Sequence, residues 1–225
     1  MILAISEIRT RFAELLKAED YVTDKSGVKL LELVGVTFLA DESFIYGKVN
    51  DEYVKRELQW YVSQSCYVKD IPGKVPKIWE MIASRTGKIN SNYGWCIWAP
   101  ENGSQYVNAL KSLVDNKDSR RAVMIYTRPT MHTDYNIDGM SDFICTNAVQ
   151  YLIRKNQMHC IVQMRSNDIV YGYRNDYAWQ LFVLNKLVTD YNNATNSTVK
   201  SGDIHWSAGS LHMYERHFPL IINSQ

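Results

Sequence analysis

Between Arg165 and Ala178 the sequence reads RSNDIVYGYRNDYA, placing two arginines, two aspartates, two asparagines and three tyrosines in fourteen residues. With Cys145 upstream, this composition suggests a nucleotide site that holds a nucleophile. Cys145 lies in the strand-like run DFICTNAVQYLI. Free cysteine usually serves as a small buried apolar side chain, and by residue type alone that is the reading for Cys145, as for Cys66, Cys96 and Cys160. A nucleophilic role requires a thiolate. Nearby guanidinium groups favour one, and Arg120, Arg121 and Arg165 are the arginines that would lower the thiol from its ordinary pKa of ~8.5.

Arg120 and Arg121 are adjacent in DSRRAV. Paired forks of this kind can grip a phosphate dianion bidentately, the alternative being a solvated surface pair. Glu57, in RELQWY, is a general acid or base if it is buried against its aromatic neighbours and a solvated helix glutamate if it is not. His212 and Tyr214 stand two apart in SLHMY and would face one side of an extended segment, placing two polar groups on one ligand hydroxyl or leaving an ordinary surface pair. His217 follows His212 by five residues, so the four-residue helical spacing of paired metal ligands is missing and no metal site is expected.

These residues need a scaffold, and the composition supplies one. A chain of 225 residues, 46% of them hydrophobic, can build one sizeable core, and nothing in it reads as a linker, so residues 1–225 are expected to form one domain. The formal charge of +1 gives no basic surplus for gripping a nucleic-acid polymer, whereas small phosphorylated ligands fit. The four cysteines have no CxxC spacing, which favours a reduced, cytoplasmic protein without disulfide staples or structural zinc. The opening MILAISEIRTRF has too short an apolar run for a signal peptide, and no stretch approaches the ~20 apolar residues that span a bilayer.

Periodicity predicts an α+β fold. Ser6 would cap a helix burying Ile8, Phe12, Leu15 and Leu16, and Asn50 or Asp51 a second burying Val54, Leu58, Tyr61 and Val62. A third helix is predicted over Gln105 to Val114 and a fourth over Tyr177 to Tyr191, with Asp176 as N-cap and Trp179, Phe182, Val183, Leu187 and Tyr191 facing the core. LLELVGVTFL, AVMIYT, FICTNAVQYLI, HCIVQMR and DIHWSAG read as strands, with a bulge at Gly35 and a hairpin turning at Asn156.

The segments DKSG (24–27), RELQWY (56–61), IW (78–79), SNYGW (91–95), DSRR (118–121), the Cys145 strand, RSNDIVYGYRNDYA and SLHMY resemble the thymidylate synthase family, in that family's order and across nearly the whole chain. INSNYGW, IYTRP, DYN, DGMSDF, CTN and MRSND are most similar to the family's T-even-type bacteriophage branch, which hydroxymethylates deoxycytidylate. The resemblance implies a bent mixed β-sheet flanked by helices, and a homodimer packed sheet against sheet. It makes Cys145 the nucleophile that adds to pyrimidine C6. Arg165 and Ser166 would hold the 5'-phosphate, joined by Arg120 and Arg121 from the partner subunit. Lys25 stands where the family has another phosphate arginine, keeping the charge but losing the fork. His212 and Tyr214 would contact the 3'-hydroxyl, Glu57 and Tyr93 would manage protons and water, and Trp79 and Asp168 would lie near the folate. Thr146 replaces the histidine that often follows the nucleophile.

Asp176 stands where the family's synthases carry an asparagine that reads uracil. Cytosine presents a donor at its 4-amino group and an acceptor at N3, so a carboxylate sharing one proton with N3 satisfies both. The implied reaction converts dCMP, 5,10-methylenetetrahydrofolate and water to 5-hydroxymethyl-dCMP and tetrahydrofolate, without a metal. The implied setting is the host cytoplasm, among other deoxynucleotide-synthesis enzymes. The competing readings are a synthase that methylates dUMP, an inactive nucleotide-binding subunit suggested by the early end at HFPLIINSQ, and a Cys/His hydrolase using Cys145 and His212.

Overall fold

A computed structural model describes residues 2–223. Six strands, β1 (Val22–Thr23), β2 (Lys29–Leu39), β3 (Val123–Ile125), β4 (Thr146–Arg154), β5 (Gln157–Asp168) and β6 (Lys200–Tyr214), form one mixed sheet in the order β1-β2-β6-β5-β4-β3. Only the β5–β6 pair is parallel. Parallel neighbours need a long crossover, and helix α7 (Gly172–Thr195) supplies it. The helices before it are α1 (Ile5–Lys17), α2 (Asp51–Ser63), α3 (Lys77–Ile82), α4 (Tyr93–Trp98), α5 (Gln105–Asp115) and α6 (Met131–Asp134); α8 (Pro219–Ile222) follows β6.

Alternation along the strands turns Met158, Cys160, Val162 and Met164 of β5, with Ile204, Trp206 and Ala208 of β6, into one continuous core. Trp179, Val183, Leu184 and Leu187 of α7 join the same cluster. An aromatic group of Trp60, Tyr61, Tyr93, Trp98 and Trp179 locks α2, α4 and α7 together, with ring centroids 5.0 to 6.3 Å apart.

The hairpin at Asn156 is as expected: Lys155 and Asn156 both take left-handed φ (47° and 60°) between the paired Arg154 and Gln157. Asn50 caps α2 through a 3.0 Å bond from the Tyr53 amide, and α5 falls where predicted. Other expectations need correction. Helix α1 starts at Ile5, so Ser6 lies inside it, and Glu7 reaches back to the Ala4 amide at 2.8 Å. Helix α2 is rotated from its predicted face: Glu57, Trp60 and Tyr61 point inward, while Val62 is half exposed. Gly35 takes a left-handed φ of 65°, but the β2–β6 register is unchanged on either side, so no residue is inserted there.

Two corrections bear on the site. Strand β4 begins after Cys145, not around it. Helix α7 begins four residues before Asp176, which therefore sits in its second turn and is not the N-cap. Asp168 does the capping, accepting from the amides of Val170 (3.0 Å), Tyr171 (2.6 Å) and Gly172 (3.3 Å).

Candidate active site

The C-terminal end of β5 and β6, the start of α7 and one face each of α2 and α3 enclose a cavity of about 970 Å³. It collects every expected site residue except Arg120 and Arg121: Lys25, Glu57, Trp79, Tyr93, Cys145, Arg165, Ser166, Asp168, Asp176, His212 and Tyr214 all line it. Arg120 and Arg121 instead line a separate depression of about 430 Å³ with Asn116, Asp118, Ser119 and Arg154. The separation follows from the β3–β4 register: Val123 pairs with Gln150 and Arg154 reaches the Asp118 carbonyl, so the turn before β3 lies toward the far end of β4 from Cys145.

Cys145 is half buried at the mouth of β4. Its carbonyl accepts from the Arg165 amide at 2.9 Å, which ties it to β5. The Arg165 guanidinium donates to the carbonyls of Ile144 (2.9 Å) and Phe143 (2.5 Å), rests over the Phe143 ring, and brings Nη2 to 3.5 Å from Cys145 Sγ. Three arginines were expected to favour the thiolate; one does. Burial outweighs it, and with the nearby Asp176 and Asp142 it pushes the Cys145 thiol up to about 11. Arg165 is the group that opposes this rise.

Glu57 is 4% exposed, so of its two readings the buried one holds. The Tyr53 hydroxyl donates to its Oε1 at 2.6 Å and accepts from Trp79 Nε1 at 2.9 Å, giving a chain from α3 to α2. Burial pushes the Glu57 carboxyl up to about 7, partly countered by the bond from Tyr53. A group poised near neutrality can give or take a proton.

Asp176 faces the same space. Burial, then the charge of Glu57, push its carboxyl up to about 8, against hydrogen bonds from Asn167 and Tyr93. The Asn167 bond is 2.7 Å, Nδ2 to Oδ2. Tyr93, itself buried, is held far above its ordinary range by desolvation, then by Asp176 and Cys145. The two carboxyls both favour their protonated forms because they share one desolvated pocket.

On β6, His212 and Tyr214 do face one side, with rings edge to face at 5.2 Å. Burial lowers the His212 pKa, keeping the imidazole neutral, and its Nδ1 lies 3.2 Å from the Ser210 hydroxyl. Beside them Asp168 has its Oδ1 occupied by backbone amides while Oδ2 is buried without a partner among the described residues. Ile78, Trp79, Ile82, Tyr135 and Phe143 give the neighbouring wall an apolar, partly aromatic lining suited to a flat ring system.

Three contributors were given no role from sequence. Tyr53 lies four residues before Glu57 on α2, so helical spacing alone could have paired them. Asn167 was visible only as part of a polar cluster. Asp142 is buried and accepts from the amides of Asn90 (2.7 Å) and Ser91 (2.8 Å) and from Ser91 Oγ (2.6 Å), pinning the loop before Cys145. The β5–β6 pairing brings His159, Asp203 and His205 together with donor atoms within 4.8 Å of one another, although none of them lines the cavity. Helical spacing could not have found residues that meet across strands.

The family model described as thymidylate synthase matches residues 18–225. The chain is 58% identical over 221 residues to the deoxycytidylate 5-hydroxymethyltransferase of Enterobacteria phage T4, covering 97% of this chain and 89% of that protein. Its identity to the protein of the same name from Enterobacteria phage T6 is 56% over 220 residues, with the same coverage. The thymidylate synthase of Buchnera aphidicola subsp. Schizaphis graminum is 26% identical over 172 residues, covering 73% of this chain and 60% of that one.

Proposed function

Since the chain belongs to the thymidylate synthase family, we propose that it is a deoxycytidylate 5-hydroxymethyltransferase that uses 5,10-methylenetetrahydrofolate and water to make 5-hydroxymethyl-dCMP and tetrahydrofolate. The observation that carries this reading is Asp176, a half-buried carboxyl pushed toward its protonated form and facing the cavity that holds Cys145, where a donor and an acceptor on one carboxyl can match the cytosine edge.

Arg165 and Ser166, with Lys25, hold the 5'-phosphate, and His212 and Tyr214 take the 3'-hydroxyl. The Arg165 guanidinium beside Sγ is the group that favours the Cys145 thiolate. With its position fixed by β5, Cys145 Sγ adds to C6 of the base, and Asp176 holds a proton at N3 that makes C6 more electrophilic. Folate, when bound, supplies the one-carbon unit that C5 captures. The apolar wall containing Trp79 and the unpartnered Asp168 Oδ2 suit its ring system and its N–H donors. Glu57, bonded by the Tyr53 hydroxyl and lining the same cavity as Tyr93, takes the proton from the water that completes the hydroxymethyl group. Loss of the C5 proton and expulsion of Cys145 from C6 then restore the C5–C6 double bond and the aromatic ring.

Arg120 and Arg121 line no part of this chain's own cavity. Their role belongs to a homodimer packed sheet against sheet, in which each chain lends the pair to its partner's phosphate. Exposed apolar residues on the sheet, Val34, Val123 and Ile125, support such packing. A single domain acting in the host cytoplasm, among other deoxynucleotide enzymes, completes the reading. Among the described residues no helix is long and apolar enough to cross a membrane.

Incubating the protein with methylenetetrahydrofolate and dCMP, CMP or dUMP in separate reactions, followed by mass analysis of each nucleotide, tests the reading. The expected result is one added hydroxymethyl group on dCMP alone. Methylated dUMP with dihydrofolate formation would instead assign a methylating synthase.

A further inference from the structure

Asp176 poses a problem that its charge cannot solve. A neutral carboxylic acid carries one donor and one acceptor, and it matches either pyrimidine. Cytosine needs the O–H at N3 and the bare oxygen at the 4-amino group. Uracil needs the bare oxygen at N3–H and the O–H at O4. Moving one proton between the two carboxyl oxygens exchanges the base that is read.

Asn167 removes that freedom, because its amide N–H can only donate, whereas the Tyr93 hydroxyl that also bonds the carboxyl can donate or accept. Its Nδ2 donates to Asp176 Oδ2 at 2.7 Å, and its Oδ1 is buried without a partner among the described residues. An oxygen that receives an amide N–H must present a lone pair, so the acid proton goes to Oδ1. Oδ2 keeps a second lone pair for another donor. The two side chains come from different elements, the end of β5 and the second turn of α7, and Gly172 lets them meet. A Cβ at Gly172 would stand 3.2 Å from Asn167 Nδ2, 3.4 Å from Asp168 Cβ and 3.8 Å from Asp176 Oδ2.

We infer that Asn167 is a specificity-positioning residue: by donating to Asp176 Oδ2 it makes that oxygen the acceptor for the cytosine 4-amino group and directs the Oδ1 proton to N3. The inference rests on the dCMP reading above and deepens it, since the carboxyl at 176 selects cytosine only while its proton is held on one oxygen.

The test is calorimetric binding of dCMP and dUMP, without folate, to the wild-type protein and to Asn167→Leu, which keeps much of the volume and removes the donor. Wild-type protein should favour dCMP, and the dCMP-to-dUMP affinity ratio should fall by about tenfold in the variant, the worth of one net hydrogen bond. A general structural defect would weaken both nucleotides together and leave the ratio unchanged, and that result overturns the inference. So would a variant that discriminates as well as wild type. If Asn167→Leu does not fold, Asn167→Ala carries the same expectation. Wild-type protein that favours dUMP, or binds neither, defeats the dCMP reading itself. Wild-type preference for dCMP with an unmoved ratio in the variant defeats only the role of Asn167.

Discussion

Replacing Asp176 by asparagine should make the nucleotide-free protein more stable, by an amount that grows with pH. The folded-state carboxyl is raised from 3.8 to about 8, chiefly by burial. A raised acid contributes stability that is fully present below its unfolded pKa and is lost as pH climbs through the folded one, because the unfolded chain releases the proton first. The window here runs from about pH 4 to about pH 8. At roughly 1.4 kcal/mol per pH unit the ceiling is about 5–6 kcal/mol, but Glu57 shares the same pocket and hydration of the cavity relaxes the cost. A loss of roughly 2 kcal/mol between pH 5 and pH 8 is the working expectation. The amide that replaces the carboxyl cannot ionise, so that slope should vanish, while the slope from Glu57, also raised, remains in both proteins. Urea unfolding at pH 5, 6.5 and 8, at one protein concentration, would read this as a midpoint gain for the variant of about 1 M by pH 8. Parallel pH slopes in the two proteins would refute the burial argument for Asp176.

Two further predictions concern the neighbours of this carboxyl. Iodoacetamide labelling of Cys145 in the empty protein should be slow at pH 7.5 and rise toward pH 11, and Arg165→Gln should push that midpoint higher, since Arg165 is the group that lowers it. A labelling midpoint near the ordinary thiol value, followed by peptide mass mapping, would contradict this. Tyr53→Phe removes the hydroxyl that donates to Glu57 and accepts from Trp79. Without that donor the Glu57 carboxyl should titrate above about 7, shifting the corresponding limb of the pH–rate profile upward, with about 1–2 kcal/mol lost in stability. An unmoved profile would separate Tyr53 from the proton chemistry.

Residue type left Cys145, Glu57 and His212 each with an ordinary structural or surface reading, and the family resemblance was what gave them, and Tyr93, roles in one site. One cavity gathers them with Arg165. The local signals that failed share a cause. An aspartate ahead of a helical pattern reads as a cap, and only the true start of α7 shows that Asp168 fills that role. Helix α2 turned Glu57 and Trp60 inward and Val62 outward, because the aromatic cluster beneath it outweighs the simplest apolar stripe. Counting arginines near Cys145 in the sequence predicted a lowered pKa, whereas desolvation raised it.

By itself the sequence determined which chemistry is available: a thiol, two carboxyls, several guanidinium groups and the order of the elements that carry them. Composition and motif order are properties of the chain. Tertiary structure decided which of these groups meet and in which protonation state. Glu57 and Asp176 lie 119 positions apart, yet the same desolvated pocket pushes both toward their protonated forms. Asn167 and Asp176 become donor and acceptor only when β5 ends against α7 at a glycine. Those outcomes depend on distance and local dielectric, which arise only after the chain has folded and excluded water from the site.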